Sequence, residues 1–191
     1  MRTFVAIELD DECRRNLAMA VDQMAHAVEG IKWVDPDNAH LTLKFIGQLD
    51  EKDVPDALEV LEAAAGEAQP FTMRVNGISA FPSERKPRVI HAPVEESSGV
   101  LEELAGVVDS GLAEALGIER EKREFKPHVT LGRTRKGKSC PPIDELASEV
   151  RESYFGLVEV EEMVLMKSDL TPRGAIYTPL NHIPLATPSS S

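Results

Sequence analysis

The spacing of hydrophobic positions alternates along the chain between the period of a strand and that of a helix. Alternating or continuous apolar runs indicate strands, whereas apolar residues that recur with the helical period indicate amphipathic helices. Strands are predicted over residues 3–9, 40–47, 71–78, 87–92, 128–134, 158–167 and 175–180. Helices are predicted over residues 11–28, 51–67, 98–116 and 144–153. Several strands follow each other directly, which favours an α+β fold with antiparallel or mixed sheets and outer helices over a doubly wound parallel sheet.

A short internal repeat indicates two similar lobes. Residues 38–43 read Asn-Ala-His-Leu-Thr-Leu, and residues 126–131 read Lys-Pro-His-Val-Thr-Leu. No long linker or low-complexity segment lies between the two copies. Residues 1–191 are therefore expected to form a single bilobal domain, with a disordered tail at 187–191.

The composition is that of a globular protein. Of the 191 residues, 42% are hydrophobic and 28% are charged, and the formal net charge is −12. No apolar run approaches the roughly 18 residues of a membrane-spanning helix, and the two cysteines, Cys13 and Cys140, form no CxxC pair. These features favour a cytoplasmic protein without a disulfide framework or a zinc site.

The acidic average hides one strongly basic segment. Residues 120–138 contain eight lysines and arginines and two glutamates, a local charge of +6. The acidic overall balance argues against broad nonspecific binding of nucleic acid, which depends on many lysine and arginine contacts to phosphates. A lone run of charge is usually a solvated loop. This run surrounds the second histidine of the repeat, however, which makes it a candidate for contact with an anionic substrate.

Two copies of His-x-Thr-Leu, at His40 and His128, are the most informative motif in the chain. A shuffled sequence of the same composition contains about 0.02 such tetrads. Residues i and i+2 of a strand point to the same face. Each histidine therefore shares a face with its threonine, Thr42 or Thr130, while the leucines point into the core. If the two strands lie side by side, two imidazoles and two hydroxyls face a common cleft.

This set of side chains is suited to displacement at phosphorus. Because the unperturbed pKa of imidazole lies near neutrality, one histidine can act as a neutral base while the other acts as a protonated acid. Threonine hydroxyls can donate to phosphate oxygens as negative charge develops. The two histidines would titrate as a pair, which predicts a bell-shaped pH profile. The arrangement requires neither a metal nor another cofactor.

The motifs and their surroundings resemble the 2H phosphoesterase superfamily, and within it the RNA 2′,3′-cyclic phosphodiesterase family, also called 2′-5′ RNA ligases. The resemblance covers nearly the whole chain and is carried by the segments MRTFVAIEL, KWV, HLTLKFIG, FPSERKPRVI, EFKPHVTLGR and KSDLT, with Tyr177. It implies a bilobal α+β fold in which the two motifs face each other across a central cleft. It also implies metal-independent hydrolysis of a terminal 2′,3′-cyclic phosphate to a 2′-phosphate, with 2′-5′ ligation as the microscopic reverse.

The same resemblance implies a role for each motif residue. His40 resembles the proton donor to the departing O3′, and His128 resembles the base that activates water. Thr42 and Thr130 would then hold the phosphate, with Arg133 as an added cation.

The neighbours of the motifs are assigned to faces of their strands. Strict alternation puts Arg133 on the face opposite the second motif histidine, so it reaches the phosphate only if the strand bulges at Gly132 or ends there. Phe45 falls on the leucine face and is expected in the core. Phe125, in the basic approach to the second motif, is a candidate for stacking on a base. Members of the family often have a tryptophan where this chain has His91, so base stacking by that position is not assumed.

Two other functions remain open at the level of the sequence. A noncatalytic module that binds RNA or nucleotides would use the same scaffold, but intact histidines and threonines in both copies speak against it. A metallohydrolase would use the histidines as ligands, but the chain has no HxxxH or HxH pair, and threonine is an unusual ligand. The expected partners are RNA ends or nucleotides with a 2′,3′-cyclic phosphate, without a membrane or a metal, and the protein is expected to be a monomer.

Overall fold

Strands and helices interleave along the chain, as the apolar periodicity predicts. The structure is a computed structural model that describes residues 1–187, so the predicted tail lies outside the described residues except for Thr187. The strands are β1 (Arg2–Glu8), β2 (Ile31–Trp33), β3 (His40–Gln48), β4 (Phe71–Asn76), β5 (Ser79–Phe81), β6 (Val89–Glu95), β7 (His128–Thr134), β8 (Tyr154–Val160), β9 (Glu162–Thr171) and β10 (Gly174–Pro184). The helices are α1 (Asp11–Ala27), α2 (Val54–Glu67), α3 (Val100–Leu116) and α4 (Ile143–Leu146). The predicted α+β class is confirmed.

The strands pair in antiparallel fashion along one path, and the pairing is shortest between β3 and β7. The order is β10-β9-β1-β3-β7-β6-β4-β8, with β2 beside β7 and β5 beside β6. Strands β3 and β7 share a single pair of opposed residues, Leu41 and Val129. We call β10, β9, β1 and β3 the first lobe. The second lobe consists of β7, β6, β4 and β8, with β2 and β5. The two motif strands are thus the neighbours that join the lobes.

Packing of the leucine face against the helices decides where the motif histidines point. Leu41, Leu43, Val129 and Leu131 are buried in the same apolar cluster as the core residues of α2 and α3. Alternation along a strand then turns the histidine and threonine of each motif to the opposite face. In the part of the chain from residue 1 to residue 187, no helix has the length and apolar character that a bilayer crossing requires.

The structure differs from the prediction in three respects. Strands β2 and β5 have no predicted counterpart, because three residues are too few to display a period. The apolar run predicted as one strand over 158–167 spans the end of β8 and the beginning of β9, which are separated at Glu161. The helix predicted over 144–153 is helical only in α4. Beyond it, the N–H groups of Val150 and Ser153 donate to carbonyl groups three residues earlier, which is the geometry of tight turns.

Each motif strand carries a β-bulge one residue beyond its threonine. The register of β3 against β1 shifts at Leu43, and the register of β7 against β6 shifts at Leu131. A bulge inserts one unpaired residue, so the alternation of faces is reversed beyond it, in β3 as far as a second register shift at Ile46. Residues after the bulge therefore point opposite to the direction that strict alternation predicts.

Candidate active site

The junction between the lobes brings the two motifs together. Strands β3 and β7 run antiparallel and oppose each other between the histidine and the threonine of each motif. Opposite strand directions set each histidine near the threonine of the other copy. His40, Thr42, His128 and Thr130 line one cavity of about 830 Å³. The convergence that the sequence repeat predicts is therefore present in the structure.

His40 is held at both ring nitrogens. Its Nδ1 lies 2.7 Å from the carbonyl oxygen of Asn38, which can only accept, so Nδ1 carries the hydrogen. Its Nε2 lies 3.0 Å from Oγ1 of Thr42, and in the neutral ring it accepts from that hydroxyl. Phe4 stacks on the imidazole at 4.9 Å between ring centroids, and Tyr177 meets it edge-on at 5.2 Å. These contacts fix the ring with Nε2 directed to the threonine.

His128 is oriented by the same backbone device. Its Nδ1 donates to the carbonyl oxygen of Lys126 at 2.6 Å. Phe81 lies edge-on at 5.0 Å between ring centroids, and His91 lies at 5.1 Å. In both motifs the carbonyl two residues before the histidine engages Nδ1, which leaves Nε2 as the nitrogen available to a substrate.

Both motif imidazoles favour the neutral form in the free protein. Burial lowers the pKa of His40, and the charges of Arg14 and of protonated His128 lower it further, against the opposing effect of its backbone hydrogen bond. Burial also lowers the pKa of His128, with a further contribution from Arg133. A phosphate anion between the rings would raise both pKa values, because negative charge favours the protonated imidazole. Phosphate binding and protonation of one histidine are therefore coupled.

Arg133 lines the cavity, because β7 bulges. The bulge lies at Leu131, next to the glycine that sequence analysis singles out. Arg133 opposes Val89 and Thr130 opposes His91, and these two partners are two residues apart in β6. Opposed residues share a face, so Arg133 and Thr130 point to the same side of the sheet.

The prediction that Phe45 packs in the core is wrong. The residue is 55% exposed and lines the cavity. The bulge at Leu43 reverses the alternation before Phe45, so the ring opposes Phe4, with 6.2 Å between centroids. The first lobe therefore contributes the rings of Phe4 and Phe45 to the cavity lining, together with His40.

Phe125 lies on the loop of residues 117–127, which joins α3 to β7. Phe125, Arg123 and Lys126 line the cavity, together with two glutamates of the same loop. The predicted basic segment thus contributes part of its charge to one cavity wall. This placement is compatible with the predicted contact between Phe125 and a base.

His91 lies beside His128 without lining the cavity. It is 4% exposed, and neither ring nitrogen has a hydrogen-bond partner among residues 1–187. It stacks on Phe81 at 4.1 Å between centroids. Burial, and the charge of His128 when protonated, lower the pKa of His91 to about 4. His91 therefore presents an uncharged surface to the motif histidine near neutral pH.

Replacing His91 by phenylalanine is expected to flatten the dependence of stability on pH between 6.5 and about 4. In the wild type, the unfolded chain binds a proton at His91 in this range while the folded chain does not, so the free energy of unfolding falls as the pH falls. The lowered pKa of His91 corresponds to a change in the free energy of unfolding on the order of 3 kcal/mol across this pH range. Urea unfolding at a series of pH values measures it. The same slope in the wild type and in His91→Phe would contradict this assignment.

Among residues 1–187, one group of side chains brings together the ligand atoms that a metal ion prefers. Glu8, Glu162 and His182 offer atoms within 4.8 Å of one another. Glu162 lies 2.8 Å from Nδ1 of His182, and Glu8 lies 3.6 Å from Arg14. None of the three ligand residues lines the cavity. The group is therefore separate from the motif histidines.

The aromatic rings around the two histidines are not predicted by the local sequence pattern. Phe4, Phe81 and Tyr177 come from β1, β5 and β10, which are distant from the motifs along the chain. Strand β1 is buried at five consecutive positions, so its apolar pattern does not distinguish the cavity face from the helix face. Only the pairing of strands shows which rings reach the histidines.

The chain is similar to archaeal and bacterial proteins along nearly its whole length. It is 36% identical over 180 residues to the RNA 2′,3′-cyclic phosphodiesterase of Archaeoglobus fulgidus, which covers 94% of this chain and 98% of the relative. It is 35% identical to the RNA 2′,3′-cyclic phosphodiesterase of Thermus thermophilus, over 97% of this chain and 90% of the relative.

Solved structures share the fold over a similar length. A crystal structure of a protein from Thermus thermophilus matches with a TM-score of 0.81 and 34% identity, over 97% of this chain and 98% of that one. A crystal structure of Escherichia coli LigT complexed with 3′-AMP matches with a TM-score of 0.72 and 25% identity, over the same shares, 97% and 98%.

The sequence repeat also appears in the family comparison. The model of the LigT-like phosphoesterases matches this chain twice, over residues 7–91 and over residues 92–177. The first match contains the His40 motif, and the second contains the His128 motif. Together the two matches span most of the chain. The chain therefore belongs to the LigT-like phosphoesterase family.

Proposed function

We propose that this protein hydrolyses a terminal 2′,3′-cyclic phosphate of RNA to a 2′-phosphomonoester, with His40 and His128 as acid and base and without a metal. The observation that carries the proposal is the meeting of two imidazoles and two threonine hydroxyls in one cavity, from strands far apart in the sequence. The names of the relatives from Archaeoglobus fulgidus and Thermus thermophilus support the same substrate class.

In the proposed reaction, a water oxygen attacks phosphorus while the bond from phosphorus to O3′ breaks. Nε2 of His128 accepts the proton of the water, and protonated Nε2 of His40 gives its proton to O3′. The phosphate remains on O2′. One proton is taken up and one is given away, so exchange with solvent restores both rings. Each Nδ1 is bound by a backbone carbonyl, so the proton is exchanged at Nε2 in both rings.

The two threonines and Arg133 would bind the nonbridging phosphate oxygens. While His40 is neutral, the hydroxyl of Thr42 donates to it at 3.0 Å. Once His40 is protonated, Nε2 no longer accepts, and the hydroxyl becomes available to the phosphate. Arg133 would stabilise the charge that develops in the transition state, and it also favours the neutral form of His128 that a base requires.

The aromatic side chains of the cavity suggest how bases of the RNA are held. Phe125 on the 117–127 loop would stack on a base, as the sequence predicts, because the ring lines the same cavity as the histidines. Phe45 is a second exposed ring in that cavity.

The test is turnover of a short RNA that ends in a 2′,3′-cyclic phosphate, in excess EDTA, with the product compared with 2′- and 3′-phosphate standards. A 2′-phosphate supports the proposal. A 3′-phosphate would contradict departure of O3′, and loss of turnover on chelation would contradict metal independence. Tight binding without product over a long incubation would favour a noncatalytic RNA-binding module instead.

The pH dependence should differ between the free protein and its substrate complex. Because the pKa values of His40 and His128 are both lowered in the free protein, the bell-shaped profile of kcat/KM should have its optimum below pH 6.5. The bound phosphate raises the pKa values, so the optimum of kcat should lie at higher pH. Steady-state kinetics across pH measures both. Coincident optima would show that the phosphate does not interact with the pair.

We further propose that the chain acts as a single bilobal domain and a monomer in the cytoplasm, and that ligation to a 2′-5′ linkage is the reverse of the same step. Both motifs line one cavity within a single chain, so the proposed chemistry requires no residue of a second copy. Hydrolysis should dominate because water at about 55 M competes with an RNA hydroxyl. Light scattering on the purified protein and a ligation assay with concentrated RNA ends test these statements.

A further inference from the structure

Lys44 is a buried cation that the proposed reaction does not use. It follows the bulge of β3, only 2% of the residue is exposed, and it lines the cavity together with Asp109. Its Nζ lies 2.7 Å from Oδ1 of Asp109 in α3 and donates to the carbonyl oxygen of Glu119 at 2.7 Å. A strand of the first lobe is thereby bonded both to a helix and to the loop that follows this helix.

Asp109 binds the same loop from the helix side. Its Oδ1 accepts from the backbone N–H of Glu121 at 3.1 Å, and its Oδ2 accepts from Nε of Arg120 at 3.1 Å. Burial alone would raise the pKa of Asp109, but the hydrogen bonds from Lys44, Glu121 and Arg120 hold the pKa below its ordinary value. The carboxylate therefore stays ionised. Together with Lys44 it binds three consecutive residues of the loop, Glu119, Arg120 and Glu121.

The loop that Lys44 and Asp109 bind, residues 117–127, forms one wall of the cavity. It contains neither helix nor strand, and at its ends the N–H of Gly117 donates to Ala113 and the carbonyl of Pro127 accepts from Val94. After the residues bound by Lys44 and Asp109, the loop contributes Arg123, Phe125 and Lys126 to the cavity lining. The carbonyl oxygen of Lys126 then accepts the hydrogen bond from Nδ1 of His128.

We propose that Lys44 and Asp109 form a positioning pair that fixes the 117–127 loop against the cavity and thereby sets the affinity for RNA upstream of the cyclic phosphate. The inference rests on the proposed function. A buried ion pair stabilises a fold little more than apolar residues of similar size would. Its effect here is geometric, because its bonds go to defined main-chain atoms of the loop that carries the cationic and aromatic side chains.

The pair is tested with the double variant Lys44→Met/Asp109→Leu, which removes both charges and leaves no buried ion unpaired. KM is measured for a short oligonucleotide and for a nucleoside, each with a 2′,3′-cyclic phosphate. Because a loosened loop must be ordered at each binding event, the ratio of the oligonucleotide KM to the nucleoside KM should rise about tenfold. Amide hydrogen exchange over residues 117–127 should become faster. The milder Arg120→Met, which removes only the exposed bond to Asp109, should give a smaller change in the same direction.

The control is Arg151→Met, which removes the ion pairs of Arg151 with Glu84, at 2.7 Å, and with Asp144 and Glu152, all outside the cavity lining. It should leave the KM ratio as in the wild type. A double variant that folds and shows the wild-type ratio and exchange pattern would overturn the positioning role, as would a loss of stability that changes both KM values equally. Should the double variant not fold, the KM ratio of Arg120→Met decides. A wild type that hydrolyses neither substrate would instead refute the proposed function.

Discussion

Alanine at either motif histidine is expected to lower kcat by about 10²- to 10⁴-fold, the usual contribution of a positioned acid or base. His40→Ala removes the proton for O3′, and His128→Ala removes the acceptor for the proton of the attacking water. The double variant should be little slower than the slower single variant, because residues that act in one step are not additive. Turnover of a cyclic-phosphate oligonucleotide in EDTA measures this. His26→Ala, at an exposed position of α1 outside the cavity, serves as the control.

The division of roles between the two histidines has its own readout. A substrate in which sulfur replaces O3′ has a leaving group that departs without a proton donor, because a thiol is far more acidic than an alcohol. On this substrate His40→Ala should regain most of its lost rate, while His128→Ala should remain impaired. Recovery of His128→Ala alone would reverse the two roles. Wild-type activity of either alanine variant on the normal substrate would refute acid–base catalysis by the pair.

A methyl group at Gly132 is expected to destabilise the fold by about 1–3 kcal/mol, as overpacking of a filled core does. The added Cβ would lie 2.8 Å from Cε3 of Trp33 and 2.9 Å from Cγ2 of Ile31. Because Gly132 lies between the bulge and Arg133, the strain should also move the arginine and lower kcat/KM. Urea unfolding and steady-state kinetics of Gly132→Ala measure the two effects.

The contact with Trp33 also provides a control for this prediction. Combining Gly132→Ala with Trp33→Leu should destabilise the protein by less than the sum of the single changes, because the shorter side chain makes room for the methyl group. Gly66→Ala, in α2 with no atom near the added Cβ, should stabilise the helix by up to about 1 kcal/mol. Additive effects of the first two changes would mean that the clash does not govern stability.

The strands of the two motifs were predictable because their signals are local. The strand predicted over 128–134 agrees with β7, and the strand predicted over 40–47 ends one residue before β3 does. The bulges were not predictable, because a bulge is defined by the register against a partner strand that the local pattern does not specify. For this reason strict alternation wrongly places Phe45 in the core, and it leaves the face of Arg133 dependent on a bulge that the local pattern does not specify.

The sequence by itself determined which side chains carry the candidate chemistry, since a two-residue period places each histidine and its threonine on one face whatever the neighbouring strands are. Only the tertiary structure decided what surrounds them. Packing of the leucine face joined β3 to β7, the bulges turned Phe45 and Arg133 into the cavity, and the ion pair of Lys44 with Asp109 held the loop above it. These features depend on contacts between residues far apart in the chain, and such contacts leave no periodic signal in a single sequence.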